Sequence, residues 1–271
     1  MLTSNTIVPK TIKNLKLSIQ FSLDGFSFCI EKIDTKKTLF FKEYYFSNVL
    51  QNPESLLKEI TAIFKSDNNL QRDFNKVLVI HQNNLTSIVP DEYFNEAHLK
   101  DYLNYTIKTL PNDLITFDNI EKIGAKNIYI PYVNINNYLF QNFGEFEYQH
   151  HATVLITKII NAHATIKKQV FVNVAEKSFD VIVIENKKLI LYNNFNYNTK
   201  EDFIYYILFV MEQLNLDKEK TPLFFSGKIT KSSELFKIAY TYIRNILFLE
   251  SNNGIFTNLK ADKHSNFILL G

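Results

Sequence analysis

The side chains best suited to chemistry are few, and their spacing works against it. His150 and His151 stand together and His163 follows further along, but helical zinc ligands recur three or four positions apart, so a surface or capping role is expected of them. Asp24 and Glu31 lie in and after a turn, where nothing makes them converge on one substrate as a general acid and base must. Cys29 sits between Phe28 and Ile30 as a strand residue would, with no histidine near it in sequence to generate a thiolate. There is no G-x-S-x-G elbow, and Ser226-Gly227-Lys228 matches a phosphate loop only superficially. The chain holds only 6 glycines, about a third of the usual ~7% share. None are spaced as G-x-G-x-x-G or G-x-x-x-x-G-K-[ST], the loops whose missing side chains let backbone N–H groups reach a phosphate. A Rossmann dinucleotide site and a Walker site are therefore both excluded.

Hydrophobic residues make up 46% of the 271, with 24 Phe and 15 Tyr, enough to fill one large domain or two compact lobes and too many for disorder. The net charge of +2, from 30 basic and 28 acidic residues spread along the chain, leaves no electrostatic footprint for nucleic acid or an anionic membrane. With that balance the aromatic abundance reads as core rather than as a base-stacking surface. Lys36-Lys37, Lys167-Lys168 and Lys187-Lys188 read as solvated turns. The opening MLTSNTIVPK lacks the apolar centre of a signal peptide, and the longest apolar run, Ile204 to Met211, is well below the ~18 residues of a membrane span. A soluble cytoplasmic protein is expected, with no catalytic residue, metal or cofactor read from its residues.

The elements that would position any site are clearest from Gln169 to Tyr197, three strands turned at Glu176-Lys177 and Asn186-Lys187. Val170, Val172 and Val174 alternate there, and Val181 to Ile184 is a β-branched run of the buried kind. Thr199 caps a helix, with Asp202 three residues on and Phe203, Ile207, Val210, Met211 and Leu214 down one face. Leu223 to Ser226 is a further strand, closed by Gly227. The same order stands earlier: strands over 15–22, 26–33 and 38–46, a helix capped by Asn52 with Leu56, Leu57, Ile60, Ile63 and Phe64 inward, then a strand from Val77 to Ile80. Residues 1–14 read as a loose arm. Between the copies come a strand from Leu85 to Val89, a helix from about Asp91 ended by Pro111, strands over 115–123 and 127–132, and a short helix closed by Gly144. A strand over 145–149 and a helix over 151–164 then lead into the second copy.

This repeated order resembles the sugar kinase, heat-shock protein and actin superfamily. The piece from Val79 through the helix at Asp91, the phrase LPNDLITFDNI, the strand AKNIYIPY and the helix after it resemble the pilus-assembly PilM family and the cytoplasmic part of the GspL family. The whole is similar to an uncharacterised bacterial family known only as a domain of unknown function. The resemblance implies an α/β, duplicated RNase H-like, two-lobed actin-like ATPase fold. Residues 15–82 and 144–168 would form the first lobe, 83–143 an inserted α+β subdomain, and 169–271 the second lobe.

In that superfamily the first strand carries an Asp followed by Gly-Thr-type residues, and the matching run here has Gln20 and Ser22. Where relatives read roughly Asp-x-Gly-x-Gly in the second copy, this chain reads Asn173-Val174-Ala175-Glu176-Lys177. The resemblance thus places two neutral amides where relatives aim carboxylates at hydrated Mg²⁺, and side chains where hairpin backbone would approach phosphate. On the adenosine side Phe225-Ser226-Gly227-Lys228-Ile229 keeps one glycine where relatives show two. Gln20, Ser22, Asn173, Ala175, Ser226 and Gly227 are then the degenerate nucleotide-site positions. The leading expectation is a catalytically inert scaffold for a protein or peptide partner, held near residues 83–143 as PilM-like relatives hold theirs. A nucleotide-responsive ATPase with unorthodox phosphate contacts, or a small-molecule enzyme in an interlobe cleft, are the alternatives.

Overall fold

A computed structural model of the chain describes residues 2–4, 12–163 and 167–271, which form two compact units: residues up to 154 with 253–260, and 155–252 with 261–271. In the first, β1 (Leu2–Thr3), β2 (Leu15–Ser22), β3 (Gly25–Lys32) and β4 (Lys37–Tyr45) precede α1 (Pro53–Ser66) and β5 (Lys76–His81). Next come β6 (Thr86–Pro90), α2 (Leu99–Asn104), β7 (Thr116–Ile120), β8 (Ala125–Tyr129), α3 (Val133–Phe143) and β9 (Glu147–His150). The main sheet has the order β1-β4-β3-β2-β5-β9. Leu15, Leu17, Ile19 and Phe21 alternate along β2 and meet Leu56, Ile60, Ile63 and Phe64 of α1 in one core, each such burial being worth about 1.5–3 kcal/mol. Asn52 caps α1, its Oδ1 accepting from Ser55 N at 2.9 Å, and Pro53 suits the first turn because it lacks the donor that would be unpaired there.

The strands β6-β8-β7 form a sheet of their own, with a small core of Val89, Leu103, Ile128 and Ile130. By contrast α3 packs its Ile135 and Leu139 into the larger core. The helix expected from Asp91 is mostly absent. Two 3₁₀ turns, Asp91–Tyr93 and Glu96–His98, take its place, and α2 ends well before Pro111. Asn95 explains the break: its side chain accepts from Ala97 N at 3.0 Å, while its own N–H donates to Tyr102 Oη at 2.9 Å, and such local bonds compete with a continuous helix. The arm is not wholly loose either, since Leu2 and Thr3 pair antiparallel with Glu43 and Lys42 of β4; residues 5–11 of it lie outside the described residues.

The chain passes along α4 (His151–His163) into the second unit, which holds β10 (Gln169–Val174), β11 (Ser178–Glu185), β12 (Lys188–Asn196), α5 (Lys200–Gln213), β13 (Leu223–Gly227), α6 (Glu234–Tyr242), β14 (Ile246–Phe248) and α7 (Phe267–Leu270). Its sheet order is β12-β11-β10-β13-β14. Asn186 and Lys187, at φ of 52° and 64°, supply the left-handed pair that a two-residue hairpin needs. Thr199 and Asp202 close the expected capping box on α5.

The duplication holds residue by residue. Gln20 pairs with Ser27 on β3 and Ile80 on β5, and Asn173 with Asp180 on β11 and Ser226 on β13. Even the irregularity recurs, at Ile30/Glu31 between β3 and β4 and at Val183/Ile184 between β11 and β12.

Candidate functional site

In the second unit, four of the degenerate positions come together at the end of β10. Asn173 is buried in the sheet centre and its amide is committed on both sides. Ser226 Oγ donates to Asn173 Oδ1 at 3.1 Å, and Asn173 Nδ2 donates to Asp180 Oδ2 at 3.1 Å. Asp180 also accepts at Oδ1 from Tyr192 Oη and Asn194 Nδ2, each at 2.9 Å. A carboxylate with these donors around it, 2% exposed, has its charge stabilised from within the sheet and offers no open face to a cation. Burial first, then Asp180, pushes the Tyr192 hydroxyl well above its ordinary range, so it remains a donor.

The backbone at this corner is committed too. Ala175 N donates to Ser178 O at 2.9 Å within the hairpin, Gly227 N to His264 O at 3.0 Å, and Lys228 N to Val174 O at 2.7 Å. Gly227 has φ +82°, and a Cβ there would stand 2.2 Å from Val174 O. This glycine is therefore required by the close passage of β10 itself. Glu176 is exposed and pairs with Lys228 at 3.8 Å.

In the first unit the matching corner holds Gln20 and Ser22. Gln20 Nε2 donates to Gln82 Oε1 at 2.6 Å, and Ser22 Oγ donates to Asp24 within the β2–β3 hairpin. One position on, Phe21 of β2 pairs with His81 of β5, which is fully buried. Its Nδ1 accepts from Tyr132 N at 3.2 Å and its Nε2 lies 2.9 Å from Asn136 Oδ1, which fixes the neutral Nε2–H tautomer. Burial drives its pKa down to about 3, against a smaller upward pull from Asn136.

A second polar cluster in this unit lies where β7 and β8 meet the start of α4. Asp118 accepts from His150 N at 2.8 Å, Thr153 Oγ1 at 2.7 Å and Tyr129 Oη at 3.0 Å. Asn127 Nδ2 donates to Thr153 Oγ1 at 2.9 Å and lies 3.2 Å from His150 Nδ1, while His150 Nε2 faces Asn83 O at 3.1 Å. These side chains are buried and bound to one another, so they lock the small sheet to the helix start rather than wait for a substrate. The surface role expected of His150 and His151 is thus corrected: both are buried, and capping at the α4 start is what His150 contributes to. Burial, then His151, holds the His150 pKa well below its ordinary value. His163 stands apart, its ring against Phe171 and Phe224. Among the described residues no group of three or more His, Cys, Asp or Glu could hold a metal ion, and no helix is long and apolar enough to cross a membrane.

A family model described as "Protein of unknown function (DUF3822)" matches residues 4–246. The chain belongs to the DUF3822 family. No curated protein matches it by sequence. Among solved structures, the chain is similar to a Bacteroides thetaiotaomicron VPI-5482 protein with actin-like ATPase fold and unknown function, at 22% identity and TM-score 0.78, over 88% of this chain and 91% of that one. It is similar to the PilM–PilN type IV pilus biogenesis complex at 11% identity and TM-score 0.57, over 87% and 88% of the two chains. The ethanolamine utilization protein EutJ of Carboxydothermus hydrogenoformans follows at 9% and 0.50, over 98% and 93%. At such identities these likenesses establish the fold alone, and the DUF3822 chain has the duplicated actin-like ATPase fold.

Asp180 is the residue of this DUF3822 site that sequence reasoning stepped over. Its signal was a charged side chain directly before the apolar run Val181–Ile184, where only a fully bonded carboxylate is tolerated. One expected outcome follows. Asn173→Asp would set a second carboxylate against Asp180 in a buried sheet, forcing one of the pair to take a proton. Urea denaturation at neutral pH should show a loss of about 3 kcal/mol that shrinks, relative to wild type, as the pH is lowered. An unchanged midpoint would contradict the closed network.

Proposed function

We propose that the protein is a non-catalytic, pseudo-ATPase form of the actin-like fold that serves as a scaffold for a protein or peptide partner. The observation that carries this is the closure of the corner at Asn173. Both faces of its amide, the adjacent carboxylate Asp180 and the hairpin donor Ala175 N are bonded within the chain. A nucleotide phosphate or its Mg²⁺ would have to displace that network rather than dock to it.

Two further facts support the scaffold half of the reading. The similar structure PilM is found in complex with PilN. In this chain Tyr93, Tyr105, Leu110 and Leu114, all from the stretch between β6 and β7, are exposed large apolar side chains that a partner could cover. Tyr105 is 88% exposed, so its truncation costs the fold little. Affinity capture with the full chain should lose a reproducible partner on Tyr105→Ser with Leu110→Ser, while the unfolding midpoint stays within about 0.5 kcal/mol of wild type. Identical sets of captured proteins from both forms would remove this surface from the reading.

A further inference from the structure

Residues 253–260 belong to the first unit although they lie far along the chain. Asn253 anchors them. Its Nδ2 donates to Thr38 Oγ1 of β4 at 2.8 Å, and its Oδ1 accepts from Ile255 N at 3.1 Å, capping a 3₁₀ turn, Gly254–Thr257, that lies against β4. Ile255, Phe256 and Leu259 are buried, while Gly254 is exposed.

Gly254 is the one glycine of the six that the fold does not require. The other five either take a positive φ or would press a Cβ against a backbone oxygen, whereas a Cβ at Gly254 would meet nothing within 4 Å and its φ is not positive. In a chain this poor in glycine, the residue stands directly after Asn253 and forms the only Asn-Gly pair in the sequence. With no side chain at 254, the backbone nitrogen is open to approach by the neighbouring side-chain amide.

We infer that Asn253-Gly254 is a site of self-modification, an internal deamidation gated by the seating of this turn on β4. The Gly254 nitrogen attacks Asn253 Cγ, the new C–N bond closes a five-membered succinimide, and the side-chain nitrogen leaves as ammonia carrying the proton that Gly254 gives up. One water then opens the ring at either carbonyl, leaving aspartate or iso-aspartate. Closing the ring expels Nδ2 and swings Oδ1 away from Ile255 N, so both bonds of the anchored amide must break first. Reaction therefore follows local opening of the turn. Opening the ring at the main-chain carbonyl leaves an extra methylene in the backbone, directly before the buried Ile255 and Phe256. Close-packed side chains do not absorb such a shift, so the converted turn no longer seats as before.

Peptide mass spectrometry of the full chain, held at mildly alkaline pH with and without urea, reads the conversion of Asn253 to the acid forms. The unfolded chain should convert at least about 100-fold faster than the folded one. Thr38→Val leaves the reacting pair untouched and removes one bond of the anchor, so conversion in the folded chain should rise about 5-fold. Gly254→Ala should slow conversion with and without urea and still unfold at the wild-type urea concentration, which keeps the test valid should Thr38→Val misfold. In converted chains trypsin should cut after the exposed Lys260 sooner than in unconverted ones. An Asn253 that stays an amide even in urea, a folded Thr38→Val chain that converts no faster than wild type, or a Gly254→Ala chain with a lowered unfolding midpoint overturns the inference.

Discussion

Lowering the pH from about 7 to 5 should reduce the unfolding free energy by about 2 kcal/mol through the buried neutral His81, with buried His150 acting in the same direction. His81 and His150 are fully buried with their ring nitrogens committed to partners, and burial holds the first down to about 3 and the second well below its usual value. An unfolded histidine titrates near 6.5, so below that pH the unfolded chain takes up protons that the folded chain refuses. The stabilisation is thus complete above about 6.5 and is lost progressively as the pH falls toward the folded value near 3. Asp118 acts in the opposite sense, because burial raises its carboxyl above the ordinary range despite its three donors. The comparison with His81→Gln isolates one histidine: that variant starts less stable, and its fall over the same interval should be smaller by about 2 kcal/mol. Urea midpoints at the two pH values measure this, and equal falls in both proteins would contradict the assigned tautomer and burial.

Gly227→Ala should cost about 3–4 kcal/mol in unfolding free energy. Holding a non-glycine residue at φ +82° costs about 1–2 kcal/mol, and forcing a methyl group against fixed backbone adds about 1–3 kcal/mol. Here the obstruction is the backbone of Val174, its O at 2.2 Å and its N at 3.0 Å, with the hydrogen-bonded Asn173 Oδ1 at 3.1 Å behind it. The strand ladder between β10 and β13 would have to open at its last pair, Val174 with Gly227. A variant that unfolds at the wild-type urea concentration would show that the glycine serves something other than this strand passage, and would return it to the nucleotide reading.

The duplicated order of strands was legible because each strand alternates or runs apolar between clear turns, and because Asn52 and Thr199 announce their helices. Register was not written in any one residue; it emerges from pairing, which alone shows that Gln20 and Asn173 are equivalent. The stretch after Asp91 misled because its apolar spacing suits a helix while Asn95 breaks the hydrogen-bond ladder locally. The edge strand Leu2–Thr3 carries too few residues for any period to show. At the candidate site the amides Gln20 and Asn173 were visible, but the acid bonded to Asn173, Asp180, was hidden by its position at the head of a β-branched run. The buried cluster of Asp118, Asn127 and His150 brings together residues from β7, β8 and β9, a convergence that no local pattern encodes.

The central claim of the proposed reading is that the Asn173 corner, closed by its own hydrogen bonds, takes no nucleotide, and calorimetric titration with Mg·ATP and Mg·ADP tests it most directly. The account predicts no metal-dependent heat of binding tighter than about 1 mM, equivalent to only ~4 kcal/mol, and equal silence from the chain carrying Gln20→Asp with Asn173→Asp, whose hairpins still bear side chains. Clear micromolar binding of Mg·ATP by the wild-type chain, abolished by chelating the metal, would contradict it.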